Sequence, residues 1–79
     1  MNTANYIKQR REKLKLTQKE LSGLVGYDQP QFVSLVENGH SKLPEYMIKP
    51  FSVALKINPK TIITNLIKDY RNELIEKSK

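Results

Sequence analysis

The chain has 79 residues, which is room for one domain with a single small core. It contains no cysteine and one histidine, and this excludes disulfides, thiol nucleophiles and metal sites built from Cys or several His. No apolar run approaches the ~18 residues that a membrane span needs, and the N-terminus has no signal-peptide pattern. We therefore expect a cytoplasmic protein without a membrane partner.

Basic residues outnumber acidic ones by 14 to 8, which gives a formal net charge of +6. Six of them crowd the stretch from Lys8 to Lys19, where Glu12 is the only acid, and four lysines without an acid lie between Tyr46 and Lys68. Apolar residues interleave with both groups, so we expect charged faces of folded elements rather than a charged tail. Such a field suits a polyanion such as nucleic acid. Charge that only keeps a small protein soluble is the open alternative.

The hydrophobic spacing is helical, and no strand-like alternation is sustained. The first predicted helix runs from a cap at Thr3 to about Leu14. One side of this helix carries Tyr6, Ile7, Leu14 and either Arg10 or Arg11.

The second predicted helix has a well-specified start and end. Thr17 and Glu20 have the spacing of a capping box, in which the hydroxyl and the carboxylate each satisfy a backbone amide. Gly26 ends the helix, because glycine takes the left-handed conformation without steric cost. We expect the buried stripe to comprise Leu21, Leu24 and Val25. A helix of about two turns needs tertiary packing to hold it.

The third predicted helix follows Gly26-Tyr27, with Asp28 or Gln29 as its cap and Pro30 in its first turn. It ends at Asn38-Gly39. Its spacing allows three side chains to face inward, namely Phe32, Val33 and Val36. The opposite face carries no charge but several hydrogen-bonding groups, and it comprises Gln29, Gln31, Ser34, Leu35 and Asn38.

Two more helices are predicted after a loop from His40 to Lys42. The fourth follows Pro44 and turns Ile48, Phe51, Ser52 and Leu55 inward. Pro50 either kinks this helix or marks its true first turn, with a separate turn before it. Asn58 and Pro59 form a cap and first-position pair for the fifth helix, which reaches about Lys77.

A short helix, a glycine turn and a second helix with an amide-rich outer face suit reading of the DNA major groove. The groove admits one helix, and Gln or Asn side chains pair bidentately with adenine N6 and N7. The preceding helix then crosses the backbone, with its N-terminal amides and Gln18 facing a phosphate. The alternative is that Gln29 and Gln31 are merely solvated polar residues.

Four stretches of the sequence, covering about residues 7 to 58, resemble one known family. They are IKQRREKLKLTQKELSGLVG, the helix end ENG, the loop SKLP and the segment ALKIN. In this order and at this spacing they are similar to the Cro/C1-type (XRE) helix-turn-helix family of bacterial and phage repressors. The resemblance implies an all-α bundle of four or five helices. Members of the family usually bind operator DNA as dimers, so the resemblance implies this for the chain as well.

The resemblance also implies roles for individual residues. Gln18 is similar to a glutamine that contacts phosphate and braces the reading helix. Base-facing positions fall on Gln31, Ser34 and Leu35, with Gln29 and Phe32 beside them. Asn38 and the loop amides near Lys42 and Leu43 resemble a phosphate-binding loop. Arg11 and Glu37 fall where many members keep a buried ion pair, and the alternative is two separate surface charges.

Three positions depart from the family pattern. The segment from Gly26 to Gly39 is one residue longer, and we place the extra residue near Gln29-Pro30. That placement buries Val33 and Val36; an insertion elsewhere makes Phe32 and Leu35 core and rotates the reading face. Lys15 stands where the family commonly has glycine, so a left-handed lysine is expected. Gly23 lies inside the second helix, where it costs ~1 kcal/mol relative to Ala and allows a close helix contact.

The fifth helix is longer than a small core requires. Its first part is expected to close the core through Ile62, Ile63, Leu66 and Ile67. The stripe then continues through Tyr70, Leu74 and Ile75, and we predict that this distal part packs against a second copy of the chain. The alternative is a tail folded back on its own domain. The prediction is thus one helix-turn-helix domain over residues 1–79, with its core at about 3–67 and a distal helix at 68–79.

The residues give no sign of catalysis. His40, the only histidine, is expected to be an ordinary loop residue; no metal-ligand spacing or catalytic set is present, and we expect no pocket, cofactor or metal. The predicted function is a repressor or autoregulator, such as a prophage repressor, that binds a pseudo-palindromic double-stranded DNA operator as a homodimer. Two alternatives remain: an antitoxin that also binds a toxin protein, and a small protein-interaction module.

Overall fold

The computed structural model describes residues 2–79, and within them the chain forms five α-helices, one 3₁₀ turn and no strand. The helices are α1 (Asn2–Lys13), α2 (Gln18–Leu24), α3 (Gln31–Glu37), α4 (Ile48–Leu55) and α5 (Pro59–Lys77), and the 3₁₀ turn spans Glu45–Met47. The expected all-α bundle of about five helices is confirmed. α1 packs against α3, α4 and α5, so the first helix lies at the centre of the bundle.

Two helix starts agree with the sequence. The Thr17 hydroxyl accepts the Glu20 amide at 3.0 Å, and the Glu20 carboxylate accepts the Thr17 amide at 2.8 Å, which completes the capping box. At the start of α5, the side-chain oxygen of Asn58 accepts the Lys60 amide at 2.9 Å. Local sequence therefore fixes both starts, and tertiary packing only has to hold the helices in place.

Two other starts differ from the prediction. Thr3 is not a cap, because α1 already begins at Asn2, and the Thr3 hydroxyl is buried without a hydrogen-bond partner in the described part of the chain. Neither Asp28 nor Gln29 caps α3; Pro30 precedes its first residue with φ at −78° and makes no side-chain cap bond. The proline ring holds φ at a helical value, which favours a helix start here although no side chain caps it.

Pro50 is the third residue of α4 and marks its first turn. The 3₁₀ turn at Glu45–Met47 comes directly before it as a separate element. Since the first amides of a helix have no partner inside it, a missing N–H at this position removes no helical bond. The second of the two readings of Pro50 is therefore the observed one.

The first four helices end in the same way, with a left-handed residue and a backbone bond from the residue after it. The left-handed residues are Lys15, Gly26, Gly39 and Lys56, with φ at 59°, 98°, 76° and 57°. The bonds run from Leu16 to Arg11, Tyr27 to Ser22, His40 to Leu35 and Ile57 to Ser52, at 3.1, 2.8, 2.9 and 3.0 Å. This Schellman geometry satisfies carbonyls that the helix leaves open. The left-handed Lys15 is confirmed, and Lys56 is a second one that the sequence analysis did not find.

The core brings the inner faces of all five helices together. Its fully buried side chains include Ile7, Leu21, Val33, Phe51, Leu55 and Ile62. Val33 and Val36 are 0% and 2% exposed, so the prediction that both face inward is confirmed.

Three predicted core residues lie outside the core. Leu24 is 60% exposed, while Ile63 and Ile67 are 41% and 62% exposed. Of the four residues of α5 predicted to close the core, Ile62 and Leu66 do face inward, and Ile63 and Ile67 occupy the adjacent row on the outer face. A helix with apolar residues on two rows can bury either one, and only the packing against α1 and α4 decides which.

Gly23 makes no close helix contact. A β-carbon added there meets no atom within 4 Å, so the expected reason for a glycine inside α2 is wrong. Gly23 lies on the exposed face of α2.

A cavity of about 220 Å³ lies between the start of α1, the loop after α3 and the middle of α5. Its lining includes Ala4, Leu43 and Leu66, with Tyr70 and Glu73 at the α5 side. The expectation that a chain of this length has no pocket is therefore wrong. The cavity exists because α5 continues past the core and forms a wall beside the loop.

Candidate nucleic-acid interface

A buried ion pair between Arg11 and Glu37 joins α1 to the end of α3. Arg11 Nε lies 2.6 Å from Glu37 Oε2, and Arg11 Nη2 donates to Glu37 Oε1 at 3.1 Å. The Glu37 side chain is 1% exposed and that of Arg11 is 11% exposed. The hydrogen bond to Glu37 raises the pKa of the Arg11 guanidinium above its ordinary value. The structure thus brings together the two charges that the sequence paired, in the bidentate geometry that arginine favours.

Gln18 connects α2 to the same pair. Its side-chain amide donates to Glu37 Oε1 at 3.1 Å. Arg11 also donates from Nη1 to the carbonyl of Leu16 at 2.8 Å, in the turn before α2. Three helices are therefore held by one carboxylate, and the predicted bracing contact of Gln18 with α3 is present.

The exposed face of α3 forms a shallow depression with the start of α2. It has a volume of about 370 Å³ and is lined by Gln18, Pro30, Gln31, Ser34 and Leu35. Gln31 is exposed, and Leu35 is 46% exposed. Four of the predicted DNA-contacting residues therefore lie side by side on one concave surface.

Phe32 does not belong to this exposed face. Its ring stacks on Tyr27 with centroids 4.7 Å apart and meets Phe51 edge-on at 6.1 Å. Helical spacing alone had allowed the residue to face inward, whereas the family resemblance placed it toward the groove. The aromatic contacts favour the inward position, because stacked and edge-on rings gain energy beyond the area they bury.

The remaining predicted contact residues flank α3. Gln29 is exposed in the turn before the helix, and the Asn38 amide donates to the Ser34 hydroxyl at 3.3 Å after it. Lys42 is exposed in the following loop, but its ammonium lies 3.1 Å from a carboxylate oxygen of Glu73 on α5. His40 is also exposed. The ammonium group of Lys42 is therefore paired with a carboxylate of α5, and no sequence pattern predicts this contact.

No protein-family model and no curated protein sequence matches this chain significantly.

Within residues 2–79, no helix is long and apolar enough to cross a bilayer, and no three His, Asp or Glu side chains come together where they could hold a metal ion.

Sequence reasoning missed the contacts of three residues, Arg10, Glu73 and Tyr46. Arg10 donates from Nε to the carbonyl of Leu55 at 2.9 Å and so covers the end of α4. Glu73 lies 3.1 Å from the ammonium groups of both Lys42 and Lys77. Tyr46, beside Tyr27, raises the pKa of the Tyr27 phenol. Only the Glu73–Lys77 pair has a sequence signal, the i,i+4 spacing of opposite charges.

The three residues predicted for dimerisation are exposed. Tyr70, Leu74 and Ile75 are 60%, 46% and 48% exposed. Ile63 and Ile67 extend their row toward the start of α5, so the exposed apolar row is longer than predicted. Ile63, Ile67, Tyr70 and Leu74 follow the 4-3-4 spacing of a coiled-coil seam, and we call this row the α5 seam.

Proposed function

We propose that the protein is a sequence-specific double-stranded DNA-binding regulator of transcription of the Cro/C1 type, acting in the cytoplasm as a repressor or autoregulator. The observation that carries the proposal is the exposed, uncharged face of α3, with Gln31, Ser34 and Leu35 beside Gln18 on one concave surface. Behind that face, the buried pair of Arg11 and Glu37 fixes the position of the helix.

The chemistry of this face suits base edges in the major groove. The Gln31 amide has a donor and an acceptor, which match adenine N6 and N7, while Leu35 offers an apolar contact for a thymine methyl group. The Ser34 hydroxyl can donate a hydrogen bond to a base edge or accept one from it. Glu37, the only charged residue of α3, is turned inward against Arg11, so the helix presents no repulsive charge to DNA.

Cations around the face supply contacts to phosphates. Lys15 and Lys19 are exposed at the turn before α2 and in its first turn, next to Gln18. Lys42 lies in the loop after α3. The lysines then provide salt-dependent affinity for the phosphates, and the side-chain amides on the face of α3 provide sequence specificity.

Dimerisation places two copies of α3 on one face of the duplex. The proposal assigns the contact to the α5 seam, because a two-fold axis lets one exposed row meet its own copy. Half-sites then lie about 34–36 Å apart. Ile67→Lys should lower the sedimentation mass from dimer to monomer, whereas Val53→Lys, at a 71% exposed position on α4, should leave the mass unchanged. A monomeric wild type would contradict the dimer and favour a heterologous partner such as a toxin.

The test of DNA binding uses fluorescence anisotropy with a labelled duplex of mixed sequence at several salt concentrations. The log of the affinity should fall with log salt by about 0.9 for each phosphate neutralised. Lys15→Ala combined with Lys19→Ala should reduce that slope by about 1.8, from two lost contacts. Gln31→Ala combined with Ser34→Ala should leave it unchanged. Absence of salt-dependent binding would contradict the proposal and favour a protein-interaction module.

A further inference from the structure

We propose that the cavity between α1, the loop after α3 and α5 binds a small, uncharged aromatic molecule that carries one N–H or O–H donor. This site lies apart from the face of α3, and none of the residues that line one of the two surfaces lines the other. Binding itself does not depend on the proposed function.

The floor of the cavity is aliphatic. Ala4 from α1, Val36 from α3, Leu43 from the loop and Leu66 from α5 line it, and their own exposure to solvent is small or intermediate. Its volume of about 220 Å³ is larger than the roughly 150 Å³ of an engineered apolar cavity that binds benzene. A single aromatic ring, or two fused rings, therefore matches both the size and the chemistry of the floor.

The α5 wall supplies an aromatic ring and two acceptors. The ring is that of Tyr70, and the acceptors are the carboxylates of Asp69 and Glu73. Asp69 Oδ2 accepts the Thr3 amide at 3.1 Å, which fixes its carboxylate at the cavity. Asp69 is already engaged, so the donor of a ligand would go to Glu73, whose carboxylate has about four lone-pair sites and no donor of its own.

The charges at the rim favour a neutral ligand. Glu73 is paired with Lys42, which also lines the cavity, and with Lys77 of the next helical turn. A strong cation would compete with two ammonium groups for that carboxylate, and an anion would meet both carboxylates.

A bound ligand would touch two elements that the proposed function uses. The loop amides near Lys42 and Leu43 belong to the expected phosphate-binding loop, and Tyr70 belongs to the α5 seam. A ligand between them would alter the position of Lys42 or of α5, and so would change DNA affinity. This consequence rests on the proposed function, whereas occupancy of the cavity does not.

The test is an NMR titration of the ¹⁵N-labelled full chain with indole as the probe. We expect saturable shifts of the amides of Ala4, Gly39, Leu43 and Tyr70. Ala4→Leu places a larger side chain in the cavity and should weaken binding at least tenfold. Ala54→Leu on α4, away from the cavity, is the matched control and should bind indole like the wild type. Shifts that do not saturate, or equal affinity in Ala4→Leu, would overturn the site.

A second variant keeps the test decisive if Ala4→Leu fails to fold. Tyr70 is 60% exposed, so Tyr70→Ala should fold while losing the aromatic wall, and it should bind indole several-fold more weakly. Unchanged indole affinity in Tyr70→Ala would also overturn the site. Duplex affinity measured with and without indole then tests the link to DNA: a change supports it, and equal affinity with the cavity occupied contradicts the link alone.

Discussion

Gln18 and Arg11 donate to the same oxygen, Oε1 of Glu37, each at 3.1 Å. The three residues come from α2, α1 and the last position of α3. One buried carboxylate therefore fixes the angle between α2 and α3 and ties both to the central helix. The face that we propose to read DNA is positioned by this contact rather than by the short helices themselves, which have seven residues each.

Removal of the arginine should destabilise the fold strongly. Arg11→Met leaves Glu37 buried with only the Gln18 amide, and the expected cost is about 3–5 kcal/mol in the free energy of unfolding measured with urea. Lys13→Met, at an exposed position two residues later, is the control and should change stability by less than about 0.5 kcal/mol.

The double variant Arg11→Met with Glu37→Met separates the pair's net contribution from the cost of leaving one charge unpaired. It should recover most of the lost stability, because two apolar side chains replace both charges. If Arg11→Met alone were as stable as the wild type, the pair would not hold the helices.

Gly23→Ala should stabilise the protein by about 0.5–1 kcal/mol. Nothing lies within 4 Å of an added β-carbon, and alanine loses less backbone entropy on forming the helix. Gly26→Ala is the matched control, since space is open there too but φ is +98°. It should destabilise the protein. Thermal or urea unfolding of both variants would show opposite signs, and equal signs would contradict this explanation.

Glu73→Gln should strengthen binding to a duplex of mixed sequence and raise the salt slope by about 0.9, because Lys42 becomes available to one more phosphate. Glu76→Gln removes the same charge from the same helix, but Glu76 pairs with Lys79 and not with the loop. Anisotropy measurements on both variants compare the loss of one negative charge at two positions of α5. Equal gains would mean that net charge, rather than release of Lys42, is responsible.

The contribution of the Glu73–Lys42 ion pair to stability depends on pH, and its sign follows from the pKa of Glu73. The hydrogen bond with Lys42, followed by that with Lys77, holds the pKa of Glu73 below its ordinary value. A lowered pKa in the folded state stabilises it above the usual glutamate range, and this contribution is lost as pH falls through the lowered value. Glu73→Gln should therefore flatten the acid side of the stability profile measured by urea unfolding.

Tyr46→Phe should lower the pKa of Tyr27. The neighbouring Tyr46 hydroxyl is the main cause of the raised pKa, followed by burial. A raised pKa of an acid in the folded state contributes stability below the ordinary value of about 10 that is lost as pH rises through the raised one. The ¹³Cζ titration of Tyr27 gives the shift, with Tyr70→Phe as the control. An unchanged titration in Tyr46→Phe would contradict the contact.

Local patterns predicted the parts of the fold that depend on neighbouring residues. The capping box at Thr17 and the Asn58-Pro59 start each follow from a few adjacent positions, and both are present. The left-handed Lys15 is also present, but the family resemblance rather than a local pattern led us to expect it. The inward side of α5 was not predictable, because Ile62 and Ile63 are equally apolar and only the packing of other helices selects one.

Long-range contacts of the candidate site were predicted only where the family resemblance supplied them. It placed Arg11 against Glu37 across 26 positions, a pairing that no local spacing indicates. The family resemblance did not predict that Phe32 stacks on Tyr27 or that Lys42 pairs with Glu73. Each of these depends on the exact course of a turn or on the length of α5.

Selection of bound duplexes from a random pool tests the central claim, sequence-specific DNA binding, most directly. Wild-type protein should recover an inverted repeat with half-sites about 34–36 Å apart on one face of the duplex. Gln31→Ala combined with Ser34→Ala should recover no common sequence while still binding DNA. Recovery of unrelated sequences by the wild type, or the same motif by the double variant, would contradict the account.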